Sequence, residues 1–295
     1  MRVLPQVLPQ SARLSAKSRF KRWLGRLLFP AATARWQRHV EDDEMLRELA
    51  VRHPSMLHKI YRPYLSRGLG CAQRVEALIG HYRVVARMGL GDLVRRAAQG
   101  DVELASVACK SGRAAQVHLS AIHEGHREGE LALKLRYADE QIYSASLVFT
   151  TAPDGQVQLM VGRLQGTACE NGRALVREAT RDLHACRPGP LLVALARHVA
   201  WRLGCDSVLL ISNENRVALN WLRRWRISSD YDRLWLELGA QPRADGNFQF
   251  ASLAAPDIDL ETVPSKKRSE ARRKLALQQA LFSGVGSAFS RGVRS

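Results

Sequence analysis

Two apolar stretches joined by helical segments restrict the fold of this chain most. Val157–Leu164 and Ser207–Ile211 are apolar almost throughout, without the polar alternation of a half-exposed strand. Strands of this kind lie inside a sheet with both faces covered. The polar helical segment Ala174–Cys186 and the apolar helical segment Leu191–Leu203 lie between them and provide the crossover that parallel strands need. The sequence therefore predicts a parallel strand–helix–strand core.

Helical patterns precede this core, and further strand patterns adjoin it. Apolar residues recur at three- and four-residue steps from Glu41 to about Gln99, which is typical of helices. Turn residues then separate four apolar runs that predict an antiparallel meander: Gln116–Ile122, Gly129–Arg136, Gln141–Thr150 and Gln156–Leu164. The pattern after Asn215 predicts, in order, a short helix, a strand over Tyr231–Leu238, a loop over Ala240–Pro264 and a basic helix from Ser265 to about Leu281.

These elements predict an α+β fold, with a helical N-terminal part followed by a mixed, mostly antiparallel sheet. Four segments are expected. They are a basic amphipathic segment over 1–38, a helical subdomain over 39–115, a mixed-sheet domain over 116–262, and a basic C-terminal helix and tail over 263–295.

The net charge of +17 lies almost entirely at the two ends of the chain. Residues 1–38 contain nine Lys and Arg and no acid, and residues 265–295 contain eight against one Glu. Cationic ends suit anionic lipid, lipopolysaccharide precursors or RNA. The alternative is a pair of solvated arms without a partner. The nearly neutral middle argues against a nucleic-acid-binding face on the folded domain.

Residues 12–29 combine basic residues with one apolar helical face. That face consists of Phe20, Trp23, Leu24, Leu27 and Leu28. Such a helix either lies in a membrane interface or packs its apolar face on the body of the protein. Both interpretations stay open from the sequence.

Cysteine usage and hydropathy predict a cytoplasmic protein, with peripheral attachment to the inner membrane through its basic ends. The five cysteines show no C-x-x-C spacing, which favours reduced thiols. No apolar run reaches the roughly 18 residues of a membrane span. The N-terminus lacks the features of a secretory signal. No metal site is expected, because His123-x-x-His126 has no further ligands in a second segment.

The segment after the central strand resembles the GCN5-related N-acyltransferases. The similar residues are Leu191-Leu192-x-x-Leu195-Ala196, the strand Val208–Ile211, and Asn215-x-x-Ala218-x-x-Trp221. The resemblance implies an acyltransferase-like fold that holds acyl-coenzyme A between two splayed parallel strands. The family's phosphate-binding turn is replaced here by Arg187-Pro188-Gly189-Pro190, in which two prolines remove two backbone donors.

Seven residues are the candidates for a site of this kind. Gln165, Gly166, Arg187, Gly189 and Asn215 are expected to bind the cofactor, and Glu130 and Tyr231 to act as base and proton donor. Each has a structural alternative. Gln165 and Gly166 close a loop, Asn215 caps a helix, Glu130 shares a solvent face, and Tyr231, like Tyr143, belongs to the core.

The body of the chain, about residues 40–275, resembles the VirK/YbjX family of bacterial proteins. The similar residues are His81-Tyr82, Gly129-Glu130-Leu131, Tyr143, Val161–Gly166, Tyr231-Asp232, Trp235, Glu237-Leu238-Gly239, Pro264–Arg268 and Arg272-Arg273. The resemblance implies a link to the cell envelope, virulence and resistance to cationic antimicrobial peptides. Two hypotheses follow: an acyl-coenzyme A-dependent acyltransferase, or a non-catalytic protein whose basic ends contact RNA or anionic membrane.

Overall fold

One mixed sheet organises the part of the chain that the computed structural model describes, which is residues 23–290 without 123–126, 153, 168, 170, 218–229 and 258–260. Its strands are β1 Val102–Ala108, β2 Ala114–Ala121, β3 Leu131–Tyr137, β4 Glu140–Thr151, β5 Val157–Gly166, β6 Ser207–Leu210, β7 Gln241–Pro242 and β8 Phe248–Ala251. Their order across the sheet is β1-β2-β3-β4-β5-β6-β8-β7. Every neighbouring pair is antiparallel except β5 and β6. The predicted fold class is confirmed.

Helices flank the sheet on the N-terminal side and in the crossover. A helical segment over residues 23–28 leads into α1 Pro30–Asp42, α2 Glu44–Arg52, a 3-10 helix Pro54–Tyr61, α3 Cys71–Arg87 and α4 Gly91–Gln99. The later helices are α5 Gly172–Asp182, α6 Pro188–Arg202, α7 Tyr231–Glu237 and α8 Ser265–Ser290. Helix α3 packs on β4, α4 on β2, α6 on β4 and β5, and α8 on β1 and α6.

The parallel pair at the centre matches the prediction. β5 and β6 pair from Gln158 and Ser207 to Val161 and Leu210, and most of their residues are buried. The last backbone bond between them runs from the Ile211 N–H to the Val161 C=O, at 3.1 Å. Beyond it β5 continues to Gly166 beside β4, while β6 has ended. We call this divergence the strand fork.

Three predicted elements differ from the structure. Tyr231–Leu238 is wrong as a strand, because Asp230 caps a helix there by accepting a hydrogen bond from the Arg233 N–H, and Tyr231 and Trp235 are buried four residues apart. β1 lies in the region predicted to be helical, and its register shift after Glu103 breaks the alternation that marks a strand. The predicted loop contains β7 and β8, which are too short for a clear pattern.

Candidate functional site

Two side chains of α7 fill the strand fork. The Tyr231 hydroxyl accepts a hydrogen bond from the Leu164 N–H at 2.8 Å and donates one to the Leu164 C=O at 2.5 Å. The Trp235 indole N–H donates to the Ile211 C=O at 2.8 Å. Both side chains are almost fully buried. They therefore supply the hydrogen bonds that β5 and β6 stop exchanging with each other, as buried backbone groups require.

The surroundings of Tyr231 keep its hydroxyl protonated. Burial raises the pKa of Tyr231, and the nearby positive charge of Arg216 only partly opposes this. The Arg216 guanidinium lies 3.7 Å from the centre of the tyrosine ring, which is cation–π geometry. The hydroxyl both donates a hydrogen bond to Leu164 and accepts one from it. Tyr231 therefore has a structural role in which it braces, that is, stabilises, the strand fork.

The two candidate glycines meet at one aromatic ring. Tyr143 pairs with Gly166 across β4 and β5, and its ring also faces Gly189 at the start of α6. A Cβ atom would lie 3.2 Å from the ring at Gly166 and 3.1 Å from it at Gly189. Both distances are shorter than ordinary van der Waals contact. The glycines thus make room for the Tyr143 ring on both of its sides.

The turn before α6 offers few donors for a phosphate group. Pro188 and Pro190 have no N–H, and the Leu191 N–H donates to the Arg187 C=O at 3.0 Å. Turns of this kind bind phosphate through a row of backbone N–H groups, and of that row this turn retains the Gly189 N–H. With the Leu164 backbone also occupied at the strand fork, the residues present do not fit acyl-coenzyme A bound in the way the resemblance implies.

Positive charge nevertheless surrounds this turn. Burial raises the pKa of Tyr143, and the charge of Arg187 opposes the rise. Burial likewise raises the pKa of the Cys186 thiol, and Lys274 of α8 opposes it. Two basic side chains, one at the start of α6 and one in the basic part of α8, therefore act on the same short stretch. Gln165 is exposed at the adjoining end of β5.

Asn215 holds neighbouring loops together through hydrogen bonds. Its side-chain amide donates to the Asp245 C=O at 3.1 Å and to the Asn247 Oδ1 at 3.0 Å. Its backbone C=O accepts a hydrogen bond from the Arg67 N–H. The predicted helix that continues through Ala218 to Trp225, like the His123-x-x-His126 pair, lies outside the described residues.

Glu130 lies in a buried polar cluster between the helices and the sheet. Its carboxylate contacts the Lys59 ammonium at 2.7 Å and accepts a hydrogen bond from the Tyr82 hydroxyl at 2.7 Å. With Tyr64 and His81, these residues form what we call the Glu130 cluster. The side chain of Glu130 is 1% exposed, so the alternative of a solvent-facing position is wrong.

The electrostatics of this cluster hold Glu130 as an anion. Burial alone would raise the pKa of Glu130, but the charge of Lys59 and the hydrogen bonds from Lys59 and Tyr82 together lower it. A base must take up a proton, and a carboxylate with a lowered pKa does so poorly near neutral pH. Burial also lowers the pKa of His81 to about 4, and its Nδ1 accepts the Phe149 N–H at 3.1 Å.

The candidate residues therefore fall into separate groups. Gly166, Arg187 and Gly189 meet around Tyr143, and Tyr231 braces the strand one residue before Gln165. Glu130 and Asn215 each contact other partners. No pattern in the sequence indicates the pairing of Glu130 with Lys59 and Tyr82, which lie 71 and 48 residues earlier in the chain.

An exposed apolar patch at the start of the described chain is a second candidate for a functional site. Trp23, Leu27, Leu28 and Phe29 are 59, 64, 60 and 42% exposed, and we call them the N-terminal patch. The segment is anchored by Gly25, which is buried against the Tyr61 ring. The interpretation in which the apolar face packs on the body is thus wrong for Leu27 and Leu28. Among the described helices, none has the length and hydropathy of a membrane span.

Comparisons with known proteins place the chain among uncharacterised relatives. A family model described as "Protein of unknown function (DUF535)" matches residues 12–285. The uncharacterized protein YbjX of Escherichia coli (strain K12) is 26% identical over 269 residues, which cover 89% of this chain and 81% of that protein. An uncharacterized protein of Haemophilus influenzae is 29% identical over 160 residues, 54% of this chain and 53% of the relative.

One solved structure that is similar is a cAMP-binding acyltransferase from Mycobacterium smegmatis. The similarity has a TM-score of 0.31 at 10% sequence identity and covers 77% of this chain. The chain spans 63% of that structure's length, which is less than two thirds. At this identity and TM-score the similarity supports no inference about activity.

Proposed function

We propose that this chain, which belongs to the DUF535 family of proteins of unknown function, is a binding protein that docks on anionic membrane surfaces through its N-terminal patch. The family match also confirms the predicted resemblance to the VirK/YbjX proteins. The observation that carries the proposal is the exposure of four large apolar side chains within seven residues. Large apolar side chains exposed so close together in the chain are typical of an interaction site.

The composition of the patch favours a lipid partner. Tryptophan prefers membrane–water interfaces because its ring is apolar and its N–H is polar. Leu27 and Leu28 each gain up to ~2 kcal/mol when their side chains leave water. The exposed Arg26 stands between them and Trp23, and the surrounding residues 1–38 carry no acid. Each basic residue near an anionic leaflet adds ~1 kcal/mol.

The proposal agrees with the setting that the VirK/YbjX resemblance implies. A protein at the anionic inner face of the cytoplasmic membrane, near lipopolysaccharide precursors, is suitably located for a role in the cell envelope. The basic start of α8, with Lys266, Lys267 and Arg268 exposed, provides a second cationic contact.

Vesicle sedimentation tests the proposal. The full chain is mixed with vesicles of phosphatidylcholine, with or without phosphatidylglycerol, at several salt concentrations. We expect binding to the anionic vesicles that weakens steeply with salt. A variant with Trp23→Ala, Leu27→Ser and Leu28→Ser should bind at least tenfold more weakly. Leu236→Ser is the matched control, because Leu236 is 55% exposed on α7 and does not belong to the patch.

Two results would contradict the proposal. One is a triple variant that binds vesicles as tightly as the wild type. The other is salt-sensitive binding to single-stranded RNA, measured by fluorescence anisotropy, without any binding to vesicles, which would favour the RNA alternative.

The acyltransferase hypothesis has less support from the geometry. In its favour are the parallel pair β5 and β6 and the charge of Arg187 at the start of α6. Against it are the occupied Leu164 backbone and the two prolines of the turn. Calorimetric titration with acetyl-coenzyme A, which has no long acyl chain, decides between them, and we expect no heat of binding.

A further inference from the structure

A groove along α3 lies apart from the residues considered so far. It has a volume of 580 Å³, within the range of small-molecule sites. It is lined by residues from the loop before α3, from α3 itself and from the end of β4: Leu65, Leu69, Gln73, Glu76, Ala77, Ile79, Gly80, Arg83, Val84, Arg87, Thr150 and Thr151.

The lining divides into an apolar floor and a cationic rim. Leu65, Ile79 and Val84 are buried apolar residues of the floor. Arg83 and Arg87 are exposed, one helical turn apart on the same face of α3. Neither forms a hydrogen bond or an ion pair with a described residue, whereas the nearby Glu76 is paired with Arg35 of α1 at 2.7 Å.

The position of Gly80 keeps the groove open. Gly80 lies in the middle of α3, where glycine is ~1 kcal/mol less favourable than alanine. A Cβ atom at this position would meet nothing within 4 Å, so packing against a neighbour does not account for the glycine. The absence of a side chain at this lining position leaves open space in the groove. Arg87 lies in the last turn of α3, where the helix dipole stabilises a positive charge. This stabilisation does not extend one turn back to Arg83, so the dipole does not account for both arginines.

We infer that this groove binds one single-chain amphiphile, an acyl chain that ends in a carboxylate or phosphate group. The anionic head group would be held by Arg83 and Arg87, with the hydroxyl of Thr151 as a neighbouring donor. The acyl chain would lie over the apolar floor. Guanidinium groups suit both head groups, because their paired N–H donors match two oxygens.

The groove and the N-terminal patch are joined by α1. Phe29 of the patch directly precedes α1, and Arg35 in the second turn of that helix contacts Glu76 of the groove. Six residues of helix span ~9 Å. An amphiphile leaving a membrane under the patch would therefore enter the groove over a short path. Binding itself is independent of the proposed function, and only this route of supply rests on it.

Calorimetric titration of the full chain without vesicles tests the inference. The probes are palmitate, lysophosphatidate and a neutral monoacylglycerol, each below its aggregation concentration. We expect one molecule bound per chain for at least one anionic probe, and the tighter of the two identifies the head group. The neutral probe should bind at least tenfold more weakly. Equal binding of the neutral probe, or no binding of either anion, would overturn the inference.

Two variants separate the groove from the rest of the molecule. Gly80→Leu should fill the groove and weaken binding at least tenfold, and it should not unfold the chain because leucine is a better helix former. Arg83→Gln with Arg87→Gln should weaken binding of the anions at least tenfold. The control, Arg52→Gln with Arg96→Gln, removes the same charge from exposed positions elsewhere and should bind within twofold of the wild type.

The outcomes for the groove and the patch are distinguishable. The triple variant of the N-terminal patch should bind the free amphiphile as the wild type does. Gly80→Leu should sediment with anionic vesicles as the wild type does. If Gly80→Leu, shown to be folded by its thermal unfolding, binds the amphiphile unchanged, the groove is not its site.

Discussion

Replacing Tyr231 with phenylalanine tests whether this residue braces the strand fork. The substitution keeps the ring and its packing and removes the hydroxyl alone. The Leu164 N–H and C=O then lose partners at 2.8 and 2.5 Å, beside a side chain that is 1% exposed. Each unpaired buried backbone group costs ~1–3 kcal/mol, and removal of the buried hydroxyl offsets part of the sum. The expected loss in the free energy of unfolding is ~2–4 kcal/mol.

Urea denaturation measures this loss, and hydrogen exchange locates it. The denaturation midpoint should fall without a change in slope, because the surface exposed on unfolding is unaltered. Exchange of the Leu164 amide should become faster, since its hydrogen bond is the one removed. Tyr143→Phe is the matched control, because the Tyr143 hydroxyl has no hydrogen bond to any described residue. A small change, below ~0.5 kcal/mol, is expected there.

The reasoning would be refuted by Tyr231→Phe unfolding within ~0.5 kcal/mol of the wild type, or by unaltered exchange at Leu164. Either result would mean that the hydroxyl is available to a ligand rather than committed to the backbone. In that case the role of Tyr231 as a proton donor would regain support.

Three further predictions concern His81, Glu130 and the two glycines Gly162 and Gly80. Burial lowers the pKa of His81 from 6.5 to about 4, so between these pH values the unfolded chain binds a proton that the folded chain does not, and the free energy of unfolding falls as the pH falls. From about pH 7 to pH 5 this loss is ~2 kcal/mol. Urea denaturation of His81→Asn at the two pH values should show a pH-dependent loss that is smaller by this amount. Glu130→Gln should destabilise by ~3–5 kcal/mol in chemical denaturation, because it leaves the Lys59 ammonium buried without its counter-ion, and adding Lys59→Met should recover part of the loss. Gly162→Ala should lower the free energy of unfolding by ~3 kcal/mol, because its Cβ would lie 1.9 Å from a main-chain oxygen. Gly80→Ala should raise it by ~1 kcal/mol, because a Cβ there meets nothing within 4 Å and alanine is the better helix former. Equal shifts in the thermal unfolding temperature of the two variants would contradict both expectations.

The fold was predictable where burial leaves a strong pattern in the sequence. β5 and β6 are covered on both faces, so their residues form the continuous apolar runs that indicate interior parallel strands. α7 was not predictable in the same way, because Tyr231, Leu234 and Trp235 fit a short strand or a helix equally well. The hydrogen bond that the Asp230 side chain accepts from the Arg233 N–H selects the helix, and this bond can be recognised only from the backbone geometry.

The candidate site was less predictable, because its chemistry depends on contacts between distant residues. Gly166 and Gly189 resemble glycines of a ligand-binding turn, yet both adjoin the Tyr143 ring, which the spacing of the sequence does not reveal. The partners of Glu130 come from the 3-10 helix and α3, far away along the chain. The exposure of the N-terminal patch was left open by amphipathicity alone, because a helical face that packs and one that awaits a partner have the same periodicity.

The 3-10 helix has a consequence for how the protein would stand on a membrane. Its last residue, Tyr61, holds Gly25 and bonds to Thr33 at 2.7 Å, and Lys59 two residues earlier reaches into the sheet to Glu130. The lipid-facing side chains and the central sheet are therefore mounted on the same turn. A protein attached in this way would not swing on a tether. It would sit on the bilayer in one fixed orientation, so each edge of the sheet would have a set height and direction above the lipid head groups.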